Sequence, residues 1–227
     1  MTLGFRDHQV FLNYPFDEGF EPFAQAMHFA VVSSNLIPVC AKDVTSPDQL
    51  RLEALVNAIL SCQYSLHDFS LLKGEGKLNF ARLNMSLEMG MGLFHALQTQ
   101  RRSHRCAFFV ASPHEYQIAA SDLAGLDPLS YNGDEASLVA SVYEWLRDVA
   151  QNPLTTRVST HEIKQRYEDF KQKAKNVIGS GNGGRLSHNE SQEVMFQVCS
   201  EHRLWDWREN KAGQIAFPSV PLSWRKI

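Results

Sequence analysis

The chain has 227 residues, of which 44% are hydrophobic and 21% charged, so it has material for one substantial core. A formal net charge of -3 provides no broad electropositive surface, which argues against nucleic-acid binding. No stretch approaches the roughly 20 apolar residues that cross a bilayer, and residues 1–9 lack the apolar segment of a secretory signal. We therefore expect a cytoplasmic protein that binds neither nucleic acid nor membrane.

The cysteines and histidines show no spacing typical of a disulfide framework or a metal site. The four cysteines are scattered without a CxxC pair, and three fall at or beside apolar runs, where a thiol packs as a small hydrophobe. The histidines form no HExxH motif and show no ligand spacing with a carboxylate. The sequence therefore predicts reduced thiols and no metal site.

The first predicted strand covers residues 9–13, a short apolar run that ends in the turn-forming Asn13-Tyr14-Pro15. Apolar residues then recur at helical spacing between positions 20 and 31, and a second strand is predicted over residues 36–39. The next helix should open at residues 46–49, with a serine cap, a proline at the first helical position and a glutamine at the third. We expect this helix to turn five apolar side chains inward: Leu52, Leu55, Val56, Ile59 and Leu60.

The third predicted strand, residues 64–66, leads into His67-Asp68-Phe69-Ser70. A helix begins around Asn84, and residues 105–110 form the clearest strand of the chain. A serine and a proline at residues 112–113 open a short helix that should stop near residue 125, and residues 128–131 suit an edge strand. Another amphipathic helix follows over residues 138–149.

Strands that alternate with helices at this spacing predict right-handed βαβ units around a parallel sheet. We expect an α/β fold, a flavodoxin-like doubly wound sheet of about five strands, over residues 1–152. The composition changes at residue 152, and residues 153–227 are predicted to be a helical C-terminal extension.

The first helix of the extension carries an apolar stripe between residues 163 and 177 that should pack on the α/β core, with a partner or dimer surface as the alternative. Residues 179–184 are predicted to be a flexible linker, since a phosphate loop would follow a strand and end in Gly-Lys-Ser/Thr. A short helix with Val194, Met195 and Val198 follows, and the tail beyond it contains tryptophans that would clamp it onto the body.

In an open parallel sheet, ligands bind beyond the carboxyl ends of the strands, where the strand order reverses. The turns after the first and third strands should meet the start of the Asn84 helix there. Asn84 and Glu88 are four residues apart and share one helix face. Gly90 and Gly92 each cost up to about 1 kcal/mol relative to alanine in a helix, and close approach of a ligand or a neighbouring element is the usual reason for such glycines.

Three segments together resemble a known family. They are RLNMSLEMGMG at residues 82–92, the strand end at residues 67–70, and FLNYPF at residues 11–16. The pattern is similar to the prokaryotic TIR-like group, which is akin to nucleoside 2-deoxyribosyltransferases, whose glutamate stands in a similar Glu-x-Gly helix. The resemblance covers roughly residues 9–150.

The resemblance implies cleavage of an N-glycosidic bond, with NAD or a nucleoside as substrate and no separate cofactor. Glu88 would stabilise the positive charge that develops on the ribose carbon, or trap it covalently. Asn84 would hold a ribose hydroxyl or orient Glu88, and Asp68 would orient groups or relay protons. No second carboxylate close to Glu88 in sequence can be assigned as the acid, which favours hydrolysis or cyclisation over transfer.

The remaining candidates are expected to bind substrate. Tyr14 or Phe16 would stack on a base or a nicotinamide ring, and Arg82 is placed to meet a phosphate. Asn13 and His67 are expected at the same crevice, where a structural hydrogen-bonding role for His67 stays open.

Other interpretations of these residues stay open. Glu88 is alternatively a first-turn acid favoured by the helix dipole, and Asp68 alternatively caps a turn. The chain has no Gly-x-Ser-x-Gly elbow, and its first strand-to-helix turn has one glycine where a dinucleotide fingerprint has three. The alternative function is a non-catalytic nucleotide-binding module or a TIR-type interaction module. A role in antiphage defence, triggered by a partner or by assembly, would follow from a full likeness to the bacterial group.

Overall fold

A five-stranded, all-parallel sheet forms the centre of the computed structural model, which describes residues 8–45, 47–70, 83–112, 127–150, 158–180 and 185–202. The strand order is β2-β1-β3-β4-β5. In chain order the strands are β1 Gln9–Asn13, β2 Ile37–Cys40, β3 Tyr64–Asp68, β4 Arg105–Val110 and β5 Leu129–Ser130. The predicted flavodoxin-like α/β fold and its five strands are thus confirmed.

Helices cover both faces of the sheet, which is why β1, β2 and β3 are buried along their whole length. The helices are α1 Glu21–Ser33, α2 Ala41–Val44, α3 Arg51–Ser61, α4 Leu83–Gln98, α5 Glu135–Val149, α6 Thr160–Ser180 and α7 His188–Glu201. Helix α1 packs against α5, and α3 packs against α4. Because the connections β1 to β2 and β2 to β3 run in opposite directions across the sheet, right-handed crossovers put α1 and α3 on opposite faces.

The C-terminal helices are part of the main core, as the apolar stripe predicted. Ile163, Tyr167 and Phe170 of α6 are fully buried, and the rings of Phe170 and Phe29 of α1 have centroids 5.6 Å apart. Val177 is 42% exposed, so the stripe leaves the core near the end of α6. Helix α7 buries the three apolar residues predicted for it against α1 and α6.

The predicted start of α3 is wrong, and its predicted inward face is confirmed at Leu55 and Ile59 and wrong at Leu52 and Leu60. The helix begins at Arg51, with Leu50 as its cap residue, because the short helix α2 follows β2 directly and the chain has to turn before α3 can start. The buried stripe of α3 is Ala54, Leu55, Ala58 and Ile59. Leu52 and Leu60 lie on a neighbouring row of the helix and are 51% and 44% exposed.

Several predictions fall outside the described residues: Arg82, the short helix after residue 112, the end of the linker, and the tryptophans of the tail. None of the four cysteines, all of which lie in the described residues, is in a disulfide; Cys40, Cys62 and Cys199 are buried and Cys106 is partly exposed. None of the described helices has the length and apolar character needed to span a bilayer.

Candidate functional site

A cavity of about 200 Å³ lies at the carboxyl ends of β1 and β2, beside the point where the strand order reverses. The turn after β1, the first residues of α2 and α3, and the opening turns of α4 form its wall. The lining residues are Leu12, Asn13, Tyr14, Pro15, Phe16, Ala41, Arg51, Leu83, Asn84, Met85 and Glu88. The structure therefore brings together five of the predicted site residues, whereas His67 and Asp68 lie outside this lining.

Glu88 is on the inward face of α4 and is only 8% exposed. The first turn of α4 contains no acidic residue, so the interpretation of Glu88 as a first-turn acid is wrong. Burial raises the pKa of Glu88 from its ordinary 4.5 to about 7, and the positive charge of Arg51 opposes this rise without cancelling it. Within the described residues, no ion pair or hydrogen bond joins the Glu88 carboxyl group to a neighbour. A buried acid at a cavity wall with a pKa near neutrality is typical of a functional site.

Asn13 connects three elements at the base of the cavity. Its Nδ2 atom lies 3.1 Å from Nδ1 of His67 at the end of β3, and it donates to the Met85 carbonyl oxygen of α4 at 2.9 Å. Both amide hydrogens are therefore used within the protein. Asn13 thus holds the opening turn of α4 against β1 and β3, and the same helix carries Asn84 and Glu88.

His67 is a buried, neutral member of this connection. Burial first, and the charge of His104 second, lower its pKa from 6.5 to about 3. Because Nδ1 accepts from Asn13, we assign the ring hydrogen to Nε2. Nε2 has no hydrogen-bond partner among the described residues, and it faces Gly92. These contacts favour the structural hydrogen-bonding role for His67.

Asp68 has its oxygens occupied. It is fully buried, and it accepts hydrogen bonds from the Ser70 backbone N–H at 3.0 Å, from the Ser70 hydroxyl, and from the Tyr131 hydroxyl at 2.9 Å. Burial raises the pKa of Asp68 to about 6, while these hydrogen bonds lower it. The hydrogen bonds with Ser70 form the turn-capping arrangement considered from the sequence. Tyr131 directly follows β5, so its hydrogen bond to Asp68 joins this turn to the end of β5.

The two aromatic candidates differ in their freedom to meet a ligand. Phe16 is 42% exposed, and Nζ of Lys42 lies 5.0 Å from the centre of its ring. Tyr14 is buried, packs edge-to-face on Phe16 at 5.3 Å, and places its hydroxyl 2.9 Å from Nε2 of His28 on α1. Burial raises the pKa of Tyr14. Phe16 is thus the ring that is accessible for stacking.

Arg51 is a cavity residue that the sequence analysis missed. It is exposed at the start of α3 and lines the same cavity as Glu88. The signal that would have found it is its position, because the helix that follows β2 starts at the edge of the sheet where ligands bind. The sequence analysis placed the start of α3 at residues 46–49, so it did not recognise Arg51 as the first residue of the helix.

Three side chains of types that can bind a metal lie close together, and one of them, His28, contacts the Tyr14 hydroxyl. A ring nitrogen of His28, the sulfur of Cys40 and a ring nitrogen of His188 lie within 4.8 Å of one another. They come from α1, β2 and α7, so their distance along the chain conceals their proximity.

The chain matches no protein-family model, and no curated protein matches it at a significant level. Its function therefore has to be argued from the cavity and the side chains that line it.

Proposed function

We propose that the chain is an N-glycosidase that cleaves the bond between ribose and nicotinamide in NAD or a related nucleotide, by hydrolysis or cyclisation, with Glu88 as the catalytic carboxylate. The observation that carries the proposal is the position of Glu88: it is almost buried, lacks an ion-pair partner among the described residues, and lines a cavity at the reversal point of the sheet. A TIR-like fold, which the sequence resembles, is proposed with it.

A single carboxylate suits NAD better than a nucleoside. Nicotinamide in NAD is a cationic ring, so when the glycosidic bond breaks its nitrogen keeps the electron pair and departs neutral without needing a proton. The ribose carbon then carries the positive charge, and an ionised Glu88 beside it would stabilise this state or form a bond to it. Water or an internal nucleophile completes the reaction at that carbon. A nucleoside base needs an acid as it leaves, and the described lining of the cavity offers no second carboxylate.

The other lining residues have chemistry that suits the rest of such a substrate. Arg51 would bind a phosphate through charge-assisted hydrogen bonds, and Arg82 is proposed for the same role from the sequence. Phe16 would stack on a ring at the mouth of the cavity, and Asn84 would bind a ribose hydroxyl. The cavity is smaller than the roughly 300–1,000 Å³ of a site for a complete drug-sized ligand, so part of NAD would extend beyond it.

We assign positioning roles to the candidates that do not face the cavity or whose polar atoms are occupied. Asn13 and His67 fix the start of α4, and Asp68 fixes the turn after β3. None of these three is needed to touch the substrate in the proposed reaction. The cytosol, which the sequence analysis expects for this chain, would supply NAD.

A second candidate is a non-catalytic nucleotide-binding or TIR-type interaction module. The observation that favours it is the outward face of α4, where Leu87, Phe94 and Leu97 are 50–64% exposed and lie on one side of the helix. An exposed apolar stripe of this kind suits contact with another protein or with a second copy. The same stripe would serve an enzyme that becomes active on assembly, as a role in antiphage defence would require.

Product analysis distinguishes the two functions. The full chain is incubated with NAD and, separately, with deoxynucleosides, at protein concentrations low and high enough to sample its assembly states, and products are separated by chromatography. We expect release of nicotinamide together with ADP-ribose or its cyclic form, and slower or no release of bases from deoxynucleosides. Measurable binding of NAD with no product at any concentration would support the module instead.

A further inference from the structure

His28, Cys40 and His188 form a cluster of side chains that can bind a metal, and none of the three lines the cavity of Glu88. Two imidazoles and a thiol thus lie within 4.8 Å of one another, and Asp43 of α2 contacts one of them, the imidazole of His188, through a carboxylate oxygen. Nε2 of His188 lies 2.9 Å from Oδ1 of Asp43 and 3.9 Å from the sulfur of Cys40. A tetrahedral zinc ion with ordinary Zn–N and Zn–S bonds holds its donor atoms roughly 3.3–3.7 Å apart. The two separations from His188 are thus close to those that zinc requires, and the His28 nitrogen lies within 4.8 Å of the Cys40 sulfur and the His188 nitrogen.

Hydrogen bonding alone does not satisfy the polar atoms of this group. Nε2 of His188 also lies 3.1 Å from Nε2 of the Gln192 side chain. A neutral ring nitrogen either donates or accepts, so it cannot serve both the Asp43 carboxylate and an amide donor, and turning the amide around leaves two acceptors competing for one hydrogen. A cation accepts lone pairs from the imidazole and the carboxylate together and removes this conflict.

His28 has a ring nitrogen that no hydrogen bond to a described residue occupies. The ring is almost completely buried, its Nε2 contacts the Tyr14 hydroxyl, and its Nδ1 has no hydrogen-bond partner among the described residues. A buried nitrogen without a partner destabilises the fold, so such atoms are rare in native proteins unless they have a role. One of the two ring nitrogens lies within 4.8 Å of the Cys40 sulfur and of a His188 ring nitrogen.

The surroundings of Cys40 and Asp43 also suit metal binding. The Cys40 sulfur accepts from the Asp43 backbone N–H, and the Cys40 backbone N–H donates to Oδ2 of Asp43 at 2.7 Å, which leaves Oδ1 directed at His188. A thiolate and a carboxylate together balance the charge of a divalent ion. The side chains of His188 and Asp43 are 22% and 10% exposed, so an ion can reach the site from solvent.

We propose that His28, Cys40, Asp43 and His188 form a structural zinc site that joins the C-terminal helix α7 to α1 and the end of β2. The mixture of thiolate, imidazole and carboxylate donors selects zinc among the common divalent cations, and four protein ligands make a closed site without an open position for substrate. The sequence analysis expected no metal because the donors are separated by up to 160 positions along the chain, which is the distance from residue 28 to residue 188.

The test uses the full chain, stripped with a chelator and then loaded with zinc or with cobalt as a spectroscopic probe. We expect one equivalent of zinc to survive dialysis, a higher melting temperature with zinc than with chelator, and a cobalt spectrum with tetrahedral and sulfur charge-transfer bands. His188→Ala and Cys40→Ser should weaken zinc binding by more than the roughly 10–100-fold that loss of an outer partner costs. His161→Ala and Cys106→Ser, which change an exposed histidine and a cysteine outside the group, should bind zinc like the wild type.

Zinc that all four variants retain equally, or wild-type protein whose cobalt spectrum lacks the sulfur band, would overturn the proposal. The cobalt spectrum is measured on the unmodified chain, so this arm decides the matter even where a variant fails to fold.

Discussion

Gly92 of α4 lies so close to the His67 ring of β3 that a larger side chain at position 92 would clash with it. A Cβ atom added at Gly92 would stand 2.6 Å from Nε2 of His67 and 3.0 Å from the Ser65 hydroxyl oxygen. This contact sets how closely α4 approaches the sheet, and Glu88 lies one helical turn before it. The glycine thus helps to place the Glu88 carboxyl group at the cavity wall.

Substitution Gly92→Ala is expected to destabilise the protein by about 1–3 kcal/mol, because crowding against the buried His67 ring exceeds the gain in helix propensity. The matched control is Gly90→Ala on the same helix, where nothing lies within 4 Å of an added Cβ. That change should stabilise the protein by about 0.5–1 kcal/mol. Urea unfolding of both variants measures the difference, and equal effects at the two glycines would contradict the packing described.

Glu88→Gln is expected to stabilise the fold at pH 8 and to have little effect at pH 4. The pKa of Glu88 is raised from 4.5 to about 7 in the folded state, so the acid form is favoured there and stability falls as the pH rises from 4.5 to 7. Above pH 7 the cost of the buried charge is on the order of 1–3 kcal/mol, which the neutral amide avoids. Unfolding free energies of both proteins across this range provide the test, and a loss of stability at pH 8 in the variant would contradict it.

Arg51→Gln is expected to change both substrate binding and the pH dependence of turnover. Removal of a charge-assisted contact to phosphate should raise the KM for NAD about 10-fold or more. Because the positive charge of Arg51 lowers the pKa of Glu88, its removal should also move the midpoint of the rising pH–rate profile to higher pH. Arg102→Gln, at an exposed position beyond α4, is the control. An unchanged KM and midpoint in Arg51→Gln would exclude Arg51 from the site.

Phe170→Ala is expected to destabilise the whole chain by about 3–5 kcal/mol, since its ring is fully buried in the main core. Val177→Ala on the same helix, at a position that is 42% exposed, should cost less than about 1 kcal/mol. Both variants are compared by thermal unfolding followed through circular dichroism. A small effect at Phe170 would mean that α6 is an appendage that packs only loosely on the core.

The sequence predicted the sheet well, because the sheet depends on short-range patterns. It predicted the cavity in part: the turn after β1 and the start of α4 line it as expected, whereas residues 67–70 after β3 do not. Buried parallel strands appear as continuous apolar runs, and the alternation of strands and helices determines which turns share an edge. The sequence analysis expected Glu88 to face the crevice, and its carboxyl group lies at the cavity wall. Which residue Gly92 approaches, namely His67, is a tertiary contact that short-range patterns do not reveal.

The roles of Arg51, Asp68 and the His28 group depend on contacts between elements far apart in the chain. Arg51 was missed because the sequence analysis placed the start of α3 several residues too early. Asp68 accepts a hydrogen bond from Tyr131, which is 63 positions away in the chain. Spacing rules identify metal ligands that are near in sequence, so they do not detect His188 beside His28. These residues become recognisable once the sheet order and the packing of α7 on α1 are known.

The most direct test of the central claim is the initial rate of nicotinamide release from NAD by wild-type protein and by Glu88→Gln at pH 8, where most of the Glu88 carboxyl group is ionised. Glu193→Gln, at an exposed position on α7, is the matched control. We predict that Glu88→Gln lowers the rate at least about 10²–10³-fold, as expected when a group that stabilises charge in the transition state is lost, while the control keeps the wild-type rate. A wild type that releases nicotinamide and a Glu88→Gln variant that releases it equally fast would contradict the account.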